Sequence, residues 1–180
     1  MTRTISGDSL ETLEPWQDGR AMVVIETPKD TPNKLKFDSE LGAFRLAKVL
    51  PVGMVFPYDF GFLPGTHAPD GDPLDVLILM DAPLYPGCVV PSRLIGVLEC
   101  EQRERDGKVE RNDRLLAVAD ASTVHADTAE IRDLSPAILT GIEAFFADYN
   151  RLAGKEFRVI RRRGRRAAEA AARRAARAGA

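Results

Sequence analysis

The sequence predicts an α+β fold: a small closed antiparallel β-barrel with extra hairpins and a C-terminal amphipathic helix laid across it. Two observations carry that expectation. Short strand-like runs follow one another closely, divided by turn signals at Gly42, Pro86-Gly87 and Asp106-Gly107. Near Asp127 the period changes, and Ile138, Ile142, Phe145, Tyr149 and Leu152 recur at helical spacing.

Taken in order, residues 1–21 have mixed polarity and no sustained period, and read as a loose arm. Met22–Glu26 is a short strand ending in an acid shortly before Pro28. Lys34–Phe37 alternates polar and apolar, Gly42 turns the chain, and Phe44–Leu50 resumes the alternation. Lys34, Lys36 and Lys48 can then share one face. Phe56-Pro57-Tyr58-Asp59-Phe60-Gly61-Phe62 is dense in aromatics and reads as core and loop anchors. Leu74–Met80 is a strand with Leu74, Val76, Ile78 and Met80 on one face and Asp75, Leu77 and Leu79 on the other. Cys88–Glu104 and Val109–Val118 form a hairpin about Asp106-Gly107. Ser135 then Pro136 is an N-cap followed by a first-turn proline, and Gly154 supplies a stop. Glu156–Ile160 is a last short strand. Beyond it, the alanine- and arginine-rich run has strong helix propensity with no apolar face except alanine, and is expected to be an exposed, frayed helix.

The chain of 180 residues is long enough for one sizeable core, so the expected organisation is an arm over 1–21, a barrel domain over 22–160 and a basic tail over 161–180. No apolar run is long enough to span a bilayer, and no secretory leader pattern opens the sequence. Cys88 and Cys100 lack metal-type spacing, and nothing demands an oxidising compartment, so the expected location is the cytoplasm. A formal net charge of −2 conceals an asymmetry: the C-terminal run is rich in arginine, which leaves the remainder strongly acidic. An acidic body suits a binder of divalent cations.

The chemistry concentrates in Asp70-Gly71-Asp72-Pro73-Leu74-Asp75. Gly71 and Pro73 bend the backbone, so Asp70 and Asp72 are aimed rather than merely displayed. Asp75 sits on a strand beside core. Carboxylates packed so closely near apolar surroundings need protons or cations in compensation. Hard oxygen donors in this number suit Mg²⁺ or Mn²⁺ better than zinc.

That motif, following Phe56–Phe62, resembles the signature of soluble family I inorganic pyrophosphatases, and the resemblance runs from about Val23 to Phe157. It implies a five-stranded barrel of OB-like topology and Mg²⁺-dependent hydrolysis of diphosphate to two phosphates. By resemblance, Asp70 and Asp75 match metal ligands, and Asp72 the carboxylate that orients or deprotonates the attacking water. Glu26 matches an acid that reaches a metal, Lys34 a phosphate-binding lysine and Tyr149 a phosphate donor on the helix. Lys48 stands for an expected phosphate-binding arginine, keeping charge but losing the bidentate fork. An expected Asp-x-Lys pattern reads Asn112-Asp113-Arg114, which leaves Asn112 as a neutral metal ligand and Arg114 as the phosphate-binding cation.

Further departures are Lys36 where an acid is usual, Phe60 for a tyrosine, Gln102 for an aspartate, with Glu99, Glu101 or Glu104 open as substitutes on the longer hairpin, and Asn150 for a lysine. Together they imply a divergent member relying on fewer metal ions. Two other readings stay open: a hydrolase of another phosphoanhydride, or a non-catalytic anion- or nucleic-acid-binding module using the arginine tail. Retention of Asp70, Asp72, Asp75 and Lys34 together favours chemistry over bare binding. Bacterial members are commonly hexamers, so a homo-oligomer is expected by resemblance, with no membrane partner.

Overall fold

The computed structural model describes residues 10–69 and 71–178. A 3-10 turn at Leu10–Thr12 precedes strand β1 (Trp16–Gln17), β2 (Arg20–Thr27), β3 (Asn33–Asp38), β4 (Ala43–Val49), β5 (Asp59–Leu63) and β6 (Leu74–Leu79). Then come β7 (Val89–Arg103), β8 (Val109–Arg111), β9 (Arg114–Ala119), helix α1 (Pro136–Leu152), β10 (Glu156–Gly164) and helix α2 (Arg165–Ala178). Strands β2, β5, β6, β9 and β7 pair in sequence, and β7 pairs back to β2, so five strands close a barrel of OB-like form. All pairings in the ring are antiparallel except β6 with β9, which is parallel. That exception starts both strands at one end of the barrel and sets Asp75 beside Arg114. Hairpin β3–β4 forms its own two-stranded sheet.

The β6 alternation partitions its side chains as the sequence predicts. Leu77 and Leu79 enter a core with Phe56, Phe60, Leu98, Leu116, Ile142 and Phe146, while Val76 and Ile78 enter a second core with Val23, Ile25, Leu115 and Ala117. Both faces are covered, which is why the strand reads as nearly continuous hydrophobe. At Gly61 a Cβ would lie 1.9 Å from the Val24 carbonyl oxygen, so only glycine lets β5 approach β2 this closely.

Helix α1 begins as predicted, with the Ser135 side chain accepting from the Ile138 amide at 3.3 Å. Its buried stripe is rotated from the expected one. Leu139, Ile142, Phe146 and Asn150 are buried, Phe145 and Tyr149 flank them, and Leu152 is exposed. The last turn has left the barrel by Leu152, and Gly154 with φ of +74° ends it.

The described parts of both termini differ from the expected arm and tail, of which residues 1–9 and 179–180 lie outside the described residues. Trp16 and Gln17 pair with Ala21 and Arg20, and the Met22 amide donates to the Pro15 carbonyl, tying residues 15–21 to the barrel. The strand expected to stop at Ile160 continues to Gly164, pairing Arg161–Gly164 against Glu99, Leu98, Val97 and Gly96 of β7. Helix α2 is not a frayed extension: Ala168 and Ala172 are fully buried in the second core. Alanine is a sufficient apolar face here because a small side chain lets the helix approach the sheet closely. None of the described helices is long and apolar enough to cross a membrane.

Candidate active site

One end of the barrel, roofed by hairpin β3–β4 and the C-terminal half of α1, holds a cleft of about 380 Å³. Glu26, Lys34, Lys48, Asp72, Asp75, Asn112, Arg114 and Tyr149 all line it, as does Lys36. Eight of the nine site residues read from the sequence are therefore together; the ninth, Asp70, lies outside the described residues.

Two acid–cation pairs line it. Lys36 Nζ donates to Asp72 Oδ2 at 2.6 Å, and Arg114 Nη1 lies 2.6 Å from Asp75 Oδ2. Partial burial pulls the Lys36 ammonium down, but the hydrogen bond and charge of Asp72 outweigh it, and its pKa is raised. The Arg114 side chain is 7% exposed and lies among the rings of Phe60, Phe146 and Phe157, with centroids 5.9, 5.3 and 5.7 Å from its Cζ. Phe60 thus contributes a face where a tyrosine would offer a hydroxyl.

The hairpin supplies a cationic wall. Lys34 and Lys48 are cross-strand partners, an arrangement that is unfavourable for like charges unless an anion compensates. Both ammonium groups are drawn to the Tyr149 ring, Lys48 at 3.7 Å and Lys34 at 5.7 Å from its centroid. Burial lowers the pKa of Lys34, opposed by the charge of Asp75. Across from it, Glu26 is 6% exposed and accepts from the Phe37 amide at 2.7 Å. Burial, the largest influence, pushes its carboxyl up to about 7, against the pull of that amide and of Lys34 and Lys36.

The far side is a chain of amides. Arg114 Nη1 donates to Asn112 Oδ1, Asn112 Nδ2 to Gln102 Oε1 at 3.0 Å, and Gln102 Nε2 to Glu104 Oε1. Lys155 Nζ closes the chain on Glu104 at 2.9 and 2.7 Å. Sequence reading missed the Glu104–Lys155 pair, which joins residues 51 apart and has no local signal. Asp113 does not substitute for Asn112, because it faces the opposite way and accepts from the Cys100 amide at 2.9 Å.

The donor chemistry decides what the cleft can hold. Asp72 and Asp75 offer hard carboxylate oxygens, with no histidine or cysteine among the described residues that line the cleft, so their side fits Mg²⁺ or Mn²⁺. The amide side does not fit a further ion: Asn112 is neutral and its oxygen already accepts from Arg114. Among the described residues, no three acid, histidine or cysteine side chains gather about one point.

Comparison with known proteins agrees with this geometry. The inorganic pyrophosphatase family model matches residues 23–178. The inorganic pyrophosphatase of Nostoc sp. is 39% identical over 138 residues, covering 77% of this chain and 79% of the relative. That of Thermus thermophilus is 36% identical over 149 residues, covering 83% of this chain and 82% of the relative. The crystal structure of the Thermus thermophilus inorganic pyrophosphatase matches with a TM-score of 0.87 at 33% identity, over 95% of this chain and 98% of that one. The Helicobacter pylori inorganic pyrophosphatase structure gives 0.84 at 33% identity, over 94% and 99%.

Proposed function

The chain belongs to the inorganic pyrophosphatase family, metal-dependent enzymes that hydrolyse diphosphate to two phosphates, and from that premise we propose how this cleft performs the reaction. The observation that carries the proposal is the meeting, in one cleft, of the Asp72 and Asp75 carboxylates with Lys34, Lys36, Lys48 and Arg114. Four cations beside aimed carboxylates suit a small, highly charged anion attacked by water.

Lys34 and Lys48 hold one phosphoryl group of diphosphate and Arg114 the other, spreading the charge that otherwise repels a nucleophile. Tyr149 borders Lys34 and Lys48, and its hydroxyl donates to a phosphoryl oxygen. Asp72 orients the attacking water and takes its proton, while Lys36 fixes the Asp72 rotamer through the 2.6 Å hydrogen bond. The water oxygen forms a bond to one phosphorus as the bridging P–O bond breaks. Its electron pair leaves with the departing phosphate. Asp75, with Asp70 five residues earlier in the sequence, would hold the metal, and Glu26 on β2 would supply a further acid to it. Mg²⁺, when bound there, supplies charge neutralisation and water activation. Asn112 is better read as a positioning residue for Arg114 than as a ligand.

The reading also places the protein in the cytoplasm as a homo-oligomer with diphosphate as its partner. Support for the substrate and the oligomer lies in the family resemblance, and for the location in two cysteines that stay free. Phosphate release from diphosphate by the full chain, beside Asp72→Asn, tests the mechanism. A loss of about a hundredfold or more supports Asp72 as the base; equal release by the variant contradicts it.

A further inference from the structure

Behind the wall that Asp75 and Asn112 form, a second hollow lies between α2 and the Arg111–Arg114 segment. It is a groove of about 410 Å³, continuous through Arg111, Asp113 and Arg174 with a space of about 470 Å³ that reaches Asp75 and Asn112 themselves. The segment alternates across this wall. Asn112 and Arg114 line the active cleft, whereas Arg111 and Asp113 line the groove.

Among the described residues the charges in the groove do not balance: its carboxylates there are Glu99 and Asp113, with Asp75 at the far end. Arg111 lies 2.7 Å from Asp113 and 3.5 Å from Glu99, and Arg163 lies 3.6 Å from Glu99. Asp75 is taken by Arg114. Arg166 and Arg174 remain, and among the described residues neither has a carboxylate within 4.0 Å.

Helix geometry shows that this surplus belongs to one ridge. Arg165, Glu169 and Arg173 stand four residues apart and are satisfied, Arg165 by Glu169 at 2.8 Å and Arg173 by stacking 4.7 Å over Trp16. Arg166, Ala170 and Arg174 form the neighbouring ridge, with alanine where the first ridge has its acid. Two unpaired guanidinium groups flanking a small side chain, over a hollow edged by two more arginines, present planar donors to a multivalent oxyanion.

We infer that this groove is a second anion-binding site, distinct from the hydrolytic cleft, for a compact phosphate-bearing polyanion. Arg166 and Arg174 are its principal ligands and Arg111 connects it to the cleft wall.

Calorimetric titration of the full chain with methylenediphosphonate, a non-hydrolysable diphosphate, tests the inference. Wild type binds two equivalents per chain. R166Q/R174Q loses one equivalent and keeps the cleft site; K34A weakens the cleft site at least tenfold and keeps the groove. A170E retains every arginine but places a carboxylate four residues from both Arg166 and Arg174, and it also loses the second equivalent. Inorganic phosphate and ATP, titrated separately into K34A, distinguish a free phosphate from a nucleotide as the natural source. One equivalent in wild type, or two in both R166Q/R174Q and A170E, overturns the inference. So does a change of association state in R166Q/R174Q with a single equivalent in wild type, which would assign the ridge to contacts between copies.

Discussion

Arg114 holds Asp75 through a 2.6 Å contact, yet its own Nε is buried and has no hydrogen-bond partner among the described residues. The guanidinium is fixed by three aromatic rings and by Asn112 rather than by full hydrogen bonding. Substrate is therefore met by a cation whose position is set in advance, without a side chain to be ordered on binding.

Arg114→Ala should lower kcat/KM about a hundredfold. It should also cost about 1 to 3 kcal/mol of stability, less than for a wholly buried pair because Asp75 keeps 29% of its side chain exposed. Arg114→Lys keeps the charge but not the planar stacking, and should recover stability only in part. Urea denaturation and steady-state kinetics on the two variants check this; an unchanged kcat/KM in Arg114→Ala would remove Arg114 from the site.

Lys36 both supplies charge and fixes Asp72. Lys36→Ala should raise KM for diphosphate about tenfold, the equivalent of about 1.4 kcal/mol, and should lower kcat as Asp72 loses its orientation. The metal requirement should steepen, because an ion must then replace the lost ammonium. Kinetics over a range of free Mg²⁺ give all three values, and an unaltered metal dependence would show that Lys36 is only a solvated neighbour.

Removing residues after Ile160 deletes the ladder of Arg161–Gly164 on β7 and uncovers the core beneath Ala168 and Ala172. At about 1 kcal/mol per lost ladder hydrogen bond, plus exposed core, stability should fall by about 3 to 5 kcal/mol, or Tm by about 10 °C. Thermal unfolding followed by circular dichroism tests it. An unchanged Tm would return α2 to the status of a dispensable tail.

Asp81 accepts from the Ser122 and Thr123 hydroxyls at 2.5 and 2.6 Å and from the Thr123 and Val124 amides, which hold its carboxyl far below the ordinary range. A folded pKa depressed below the unfolded one gives stability that is present above the ordinary value of 3.8 and is lost as pH falls below it toward the folded one. Asp81→Asn should therefore melt lower than wild type at neutral pH, and the two should converge toward about pH 2. Parallel melting curves across that range would contradict the assignment.

Much of this was legible in the chain because local and tertiary requirements coincide. The β6 alternation, the Ser135-Pro136 helix start and the cationic face of Lys34, Lys36 and Lys48 each appear as short-range patterns that the packing preserves. The exceptions are long-range. Strand β5 lacks a clean alternation because both its faces are buried, so Asp59–Leu63 reads as aromatic anchors rather than as a strand. The α2 alanines carry no strong hydrophobic signal, and their burial depends largely on β7, more than sixty residues earlier in the chain. Glu104 and Lys155 meet only because β7 and the α1–β10 turn converge, which no spacing reveals.

In the proposed mechanism, fixed cations and amides stand where part of a metal set would otherwise lie. Phosphate release from diphosphate, measured against free Mg²⁺ and Mn²⁺ with an EDTA control, distinguishes the two arrangements. Release should vanish in EDTA and rise with first- to second-order dependence on free metal. Release that persists in EDTA, or that needs metal to the third order or higher, would contradict it.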